Sequence, residues 1–156
     1  MTSWLESQFS LTGKKALVTG SSKGIGASIA QALAQAGADI VLVGRTKDSL
    51  EATKSAIINI GRKVEIILCD VSSADAIKEA FSDIAALKVD ILINNAGSIS
   101  RAPAAEAQME EWNRIIETNL NSVFQISQAC GRAMIAQGTG TIINIASLLS
   151  FQGGIN

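Results

Sequence analysis

The chain has 156 residues, 47% hydrophobic and 17% charged, with a net charge of -1. That length suits one domain, and the composition suits a packed core; disorder, a polybasic nucleic-acid surface and an acidic tail are excluded. No apolar run approaches the roughly 18 residues of a membrane span, so no membrane contact is expected, and the opening MTSWLESQFSLTGKK is not expected to be a secretion signal.

From the N-terminus, KALVTG reads as a β-branched strand ending at Gly20. IGASIAQALAQAG follows as a helix, with Ile25, Ile29 and Leu33 on one face and Gly37 closing it. DIVLVG is a second strand and KDSLEATKSAIINIG a second helix. KVEIILCD is a third strand, and SADAIKEAFSDIAAL a third helix with Ser73 as its N-cap. VDILINN is strand four, AGSISRAPAAEAQ a loop holding Pro103, and residues 109–138 one long fourth helix. GTIINIAS is strand five, delivering Ser147. Strands apolar almost throughout and alternating with helices imply a doubly wound parallel α/β sheet, a single domain over residues 1–156.

Cys69 and Cys130 stand far apart and read as buried thiols in a reducing cytoplasm. Histidine is absent, which removes a histidine triad and leaves no expectation of a metal. Tyrosine is absent as well.

TGSSKGIG, residues 19–26, lies between strand one and helix one. Glycines there let backbone approach a pyrophosphate, and the helix N-terminus offers unpaired N–H groups. Gly20, Ser22, Lys23, Gly24, Ile25 and Gly26 are therefore candidate cofactor contacts. A P-loop would need Gly-Lys-Ser/Thr at its end, whereas Lys23 precedes the glycine here. The end of strand two reads LVGRT: Gly44 stands where an NAD enzyme carries an acid, and Arg45 follows. Lys23 and Arg45 suit a 2′-phosphate, which favours NADP over NAD; two solvated surface charges are the alternative.

The spacing Gly-x-x-x-Gly-x-Gly, with CDVS, NNAG, TNLNSVF and INIAS in order, resembles the short-chain dehydrogenase/reductase family over nearly the whole chain. The resemblance implies a Rossmann fold that continues past strand five, so the 156 residues read as a domain incomplete at its C-terminus. It implies that Asp70 and Val71 meet the adenine, that Asn94, Ala96 and Gly97 border the cofactor, and that Asn119 holds a relay water and kinks helix four. It implies that Ser147 donates to the substrate carbonyl while nicotinamide delivers hydride. Local alternatives are a helix cap for Asp70, a structural hydrogen bond for Asn119 and a backbone contact for Ser147. The family's proton-donating tyrosine would fall about thirteen positions past Ser147, at position 160, with a lysine four further on. The 156 residues thus carry a carbonyl polariser without a proton donor, and taken alone are expected to be inactive.

FSLTGKKALVTG, RAPAAE and IINIASLLSFQGG are similar to the sugar-acid branch of that family. Arg101 is then a candidate clamp for a substrate carboxylate, or else a surface charge. The expected activity is an oxidoreductase moving hydride between a nicotinamide cofactor and a keto sugar acid. Ketones on acyl carriers or steroids, and a non-catalytic nucleotide-binding fragment, remain alternatives. The expected partners are a small carbonyl compound and, at full length, further copies in a dimer or tetramer; no nucleic acid is expected.

Overall fold

A computed structural model describes residues 4–152. After a short helix α1 (Trp4–Phe9) come β1 (Lys15–Thr19), α2 (Gly24–Gln35), β2 (Asp39–Gly44), α3 (Lys47–Asn59), β3 (Val64–Leu68) and α4 (Ala74–Ala80). β4 (Ile91–Asn94), α5 (Met109–Ile116), α6 (Ser122–Gln137), β5 (Thr141–Asn144) and a 3-10 turn (Leu148–Ser150) follow. The five strands are parallel in the order β3-β2-β1-β4-β5. The doubly wound α/β sheet read from the sequence is the observed architecture.

Alternation along the strands divides the core in two. Leu17, Val41, Val43 and Leu92 pack with Ile77 of α4 and Ile126, Cys130 and Met134 of α6. Ala16, Val18, Ile40, Leu42 and Ile93 pack on the other face with Ala30 and Ala34 of α2 and Leu50 and Ile57 of α3. Each large side chain removed from water in this way contributes roughly 1.5–3 kcal/mol.

Four sequence expectations need correction. Helix α1 was not foreseen. The face of α2 that meets the sheet is the small one, Gly26, Ala27, Ala30 and Ala34; Ile29 and Leu33 are only partly buried, and Ile25 is 65% exposed. Small residues let α2 lie close to the strands, which displaces the larger ones to its flank. The third helix stops at Ala80 and resumes as a 3-10 turn over Ile84–Leu87. There the Ser82 hydroxyl donates to the Glu79 carbonyl, competing with the helical ladder. The fourth helix is interrupted by a π-helical stretch, Glu117–Asn121, which joins α5 to α6 with Asn119 at its centre. Ser73 does cap α4, accepting from the Ala76 amide at 3.2 Å.

β5 is one of the two edge strands, β3 being the other, and all four of its residues are exposed. Ile142 and Ile143 are 38% and 45% exposed, against 0% for Leu17, Leu42 and Leu92.

Candidate active site

Two adjoining cavities open along the carboxyl ends of the strands. The first, about 450 Å³, is bordered by the glycine loop, the end of β2, the turn after β3 and the loop after β4. Of the residues picked out in the sequence, Gly20, Ser22, Lys23, Gly24, Arg45, Asp70, Val71, Ala96 and Gly97 line it. Ile25, Gly26 and Asn94 do not.

The glycine loop is held by close backbone approach. Gly20 has φ +64°, and a Cβ there would come within 2.9 Å of the Ala96 Cα. A Cβ on Gly26 would fall on the Gly20 carbonyl oxygen. Gly26 thus serves the cavity by letting α2 start directly beneath the loop. No side chain caps the N-terminus of α2, and no acid occupies its first turn. Its leading amides and the positive end of its dipole are left for an anion.

Thr19 and Asn95, which the sequence reading passed over, tie this loop to β4. Thr19 Oγ1 accepts from the amides of Asn95 and Ala96, both at 3.0 Å. Asn95 Nδ2 donates to the Thr19 carbonyl at 2.9 Å. Of the Asn-Asn pair it is therefore Asn95 that lines the cavity, while Asn94 sits 4% exposed behind it. Asn94 Nδ2 donates to Ser127 Oγ at 2.8 Å and to Asn144 Oδ1 at 2.9 Å, joining β4, α6 and β5. Asn94 is the last residue of β4 and turns to α6 and β5, so it is Asn95, just past the strand, that fronts the cavity.

Electrostatically the first cavity mixes three cations, Lys23, Arg45 and Arg114, with one carboxylate, Asp70. The Ser72 amide and hydroxyl both donate to Asp70 Oδ1, at 3.0 and 2.8 Å, and hold that carboxyl below the usual range; the charge of Arg45 adds to this. Asp70 is therefore an anion held through its Oδ1, and the cap of α4 is Ser73 instead. No carboxylate stands at the end of β2, where Gly44 packs under Leu50.

The second cavity, about 610 Å³, holds Ser147 and Asn119 together with Ser100, Glu111, Trp112 and Ile115. Ser147 Oγ accepts from the Leu149 amide at 3.2 Å at the head of a 3-10 turn. That bond uses a lone pair and leaves the hydroxyl hydrogen free to donate. Asn119 spends both ends of its amide on one residue: Oδ1 accepts from the Ser98 amide and Nδ2 donates to the Ser98 carbonyl, each at 2.8 Å. Its side chain thus fixes the loop after β4 rather than reaching into open space. Arg101 is exposed and borders neither cavity, although its neighbours Ser100 and Ala102 line the second. Glu111 and Arg114, unremarked in the sequence, form an ion pair at 2.6 Å with one partner in each cavity. A further cleft of about 630 Å³ between α4 and α6 lies away from the strand ends and touches none of these motifs.

A parallel sheet in this order, with a glycine-bearing turn where the connections reverse direction, defines a Rossmann-type α/β protein. The family description "short chain dehydrogenase" matches residues 14–156, and the chain belongs to that family. It is similar to the 2-dehydro-3-deoxy-D-gluconate 5-dehydrogenase of Bacillus subtilis (strain 168), at 47% identity over 153 residues, covering 97% of this chain and 60% of that protein. The gluconate 5-dehydrogenase of Gluconobacter oxydans (strain 621H) is 43% identical over 147 residues, 91% of this chain and 56% of the relative. A crystal structure of a gluconate 5-dehydrogenase from Burkholderia cenocepacia J2315, in complex with NADP and tartrate, superposes with a TM-score of 0.89 at 35% identity, covering 97% of this chain and 60% of that one. The chain thus spans about 60% of the length of such relatives.

Proposed function

We propose that this chain is the dinucleotide-binding part of an NADP-linked dehydrogenase/reductase acting on a keto sugar acid. The observation that carries the reading is the first cavity itself. Its glycine cradle would be filled by a single Cβ at Gly20, and Lys23 and Arg45 face it with no acid at the end of β2. That donor set fits a pyrophosphate over the α2 N-terminus and a 2′-phosphate between the two cations. Asp70 and Val71 line the same cavity, where the carboxylate and the amide would meet an adenine ring. NADP bound to the Burkholderia relative supports the same choice.

A bound nicotinamide supplies the hydride. The chain's own part begins with Ser147, whose free hydroxyl hydrogen donates to the substrate carbonyl and stabilises the charge that develops on its oxygen. Asn119 acts at one remove by holding Ser98 and the loop between the cavities. The sugar-acid assignment draws on the names of the relatives. Arg101 is retained as a carboxylate clamp only in a conformation that turns it toward the second cavity. We also propose a cytoplasmic setting, in keeping with the thiols of Cys69 and Cys130, and a homo-oligomer, in keeping with the exposed Phe124 and Ile135 of α6.

The experiment is NADPH titration and NADP-linked gluconate oxidation at 340 nm, on residues 1–156 and on a form extended through the tyrosine and lysine that the family resemblance implies. Binding by both forms and turnover by the extended one alone is the expected result. Turnover by residues 1–156 would overturn the assignment of the proton donor, and failure of either form to bind NADPH would overturn the whole reading.

A further inference from the structure

Ser98 is common to the walls of both cavities. Its backbone is clamped on both sides by the Asn119 amide, at 2.8 Å each way. Its side chain is treated in the opposite manner. Ser98 Oγ is buried, and it has no hydrogen-bond partner among the described residues. A hydroxyl removed from water and left unpaired is less favourable than a methyl group in the same place. The protein therefore carries a cost at this position that an alanine would avoid, and it carries it at the junction of its two cavities.

Hydride transfer needs the reacting atoms in contact. The phosphate end of the first cavity is set by the glycine loop, Lys23 and Arg45, and the carbonyl polariser Ser147 stands in the second. Contact between cofactor and carbonyl then falls at the shared wall, where Ser98 stands. We propose that the Ser98 hydroxyl is a positioning donor for the nicotinamide end of the bound dinucleotide, turning about χ1 from its buried well to an oxygen acceptor there. This rests on the dinucleotide reading above. The move needs no backbone shift, because serine has three staggered wells about that bond. The Asn119 clamp keeps the Cα fixed while the hydroxyl changes partner. Adenine and the phosphates would be held by residues at the other end of the cavity, Lys23, Arg45 and Asp70, and would be untouched by it.

The test uses the full chain, wild type and Ser98→Ala, titrated with NADPH and with 2′-phospho-ADP-ribose, which lacks the nicotinamide. The melting temperature of each ligand-free protein is measured alongside. The expected result is NADPH binding weakened about three- to tenfold, the scale of one hydrogen bond. Binding of 2′-phospho-ADP-ribose should stay unchanged, and the free variant should melt at the same temperature or higher. Equal losses for the two ligands, no loss for NADPH, or a lowered melting temperature would overturn the proposal. So would a wild type that binds the two ligands equally well. A wild type that binds neither removes the dinucleotide reading itself and this inference with it.

Discussion

The inner strands and the edge strand β5 are built from the same kind of residue and end in opposite situations. Leu17, Leu42 and Leu92 are sealed between helices on both faces, whereas Ile142 and Ile143 of β5 keep 38% and 45% of their surface. The cavities divide in the same way. The first is closed by bonds within the chain, from Thr19 to the Asn95 and Ala96 amides and from Ser21 to Val43. The second is walled by α5 and the stretch after β5, where Leu149 is 57% exposed. The first cavity is therefore tied together by bonds across the sheet, whereas the second keeps an exposed apolar wall. Uncovered strands of this kind also favour edge pairing between chains, since β5 carries neither charge nor proline.

The largest effect that would sharpen this contrast is expected in the second cavity. In the catalytically competent, extended form, Ser147→Ala should lower kcat about 100- to 1,000-fold, as loss of an oxyanion donor does. NADPH affinity should not move, because Ser147 does not border the first cavity. An unchanged kcat would reduce Ser147 to a partner of the Leu149 amide.

Next comes the end of the first cavity lined by Lys23 and Arg45. Arg45→Ala should weaken NADPH by about 1.5–3 kcal/mol, the scale of a charge-assisted hydrogen bond, and leave NADH nearly unchanged. Equal losses in parallel titrations would show that Arg45 acts as a general surface cation and that the 2′-phosphate is held elsewhere.

Thr19→Val probes whether the first cavity is self-contained. The shape is kept, but the Asn95 and Ala96 amides lose their common acceptor. Urea unfolding should report a loss of about 1–2 kcal/mol, with weaker cofactor binding as the loop after β4 loosens. Full stability in the variant would mean that the loop is held by other contacts, and the contrast with the second cavity would weaken.

Much of the lining of the first cavity was legible because glycine spacing and strand alternation are local. Gly20 and Gly24 need positive φ, which shows in the residue type, and Ser73 announced its cap. What stayed hidden depended on contacts across the sheet. Thr19 and Asn95 are 76 positions apart, and nothing in either neighbourhood marks the bond between them. The choice between Asn94 and Asn95 depended on where β4 ends and on the Ser127 and Asn144 partners of Asn94, which a tetrapeptide does not reveal. The π stretch at Asn119 could be placed only through the family resemblance, since residues 109–138 carry an unbroken helical pattern. Arg101 was singled out for its charge, but exposure of its side chain is a property of loop geometry.

The smallest effect at neutral pH concerns the two thiols, and it returns to the sealed half of the molecule. Cys69 and Cys130 are 4% and 1% exposed, in the core packed against α4 and α6. Burial pushes the Cys130 thiol up to about 12; burial, with the Asp70 charge beside it, pushes Cys69 up to about 11. Unfolded thiols ionise near 8.5, so the folded state holds its thiol protons more tightly than the unfolded one. The stability this represents is fully present below about pH 8.5 and is lost as pH rises from there toward 11 and 12. At pH 8 an aromatic disulfide reagent should therefore leave both thiols unlabelled in the folded protein and label both in urea. Labelling should quicken above pH 9, as the unfolded state gains. Prompt labelling of Cys130 at pH 8 without denaturant would mean that the α4–α6 side opens readily, and the sealed half would have to be redrawn to exclude it.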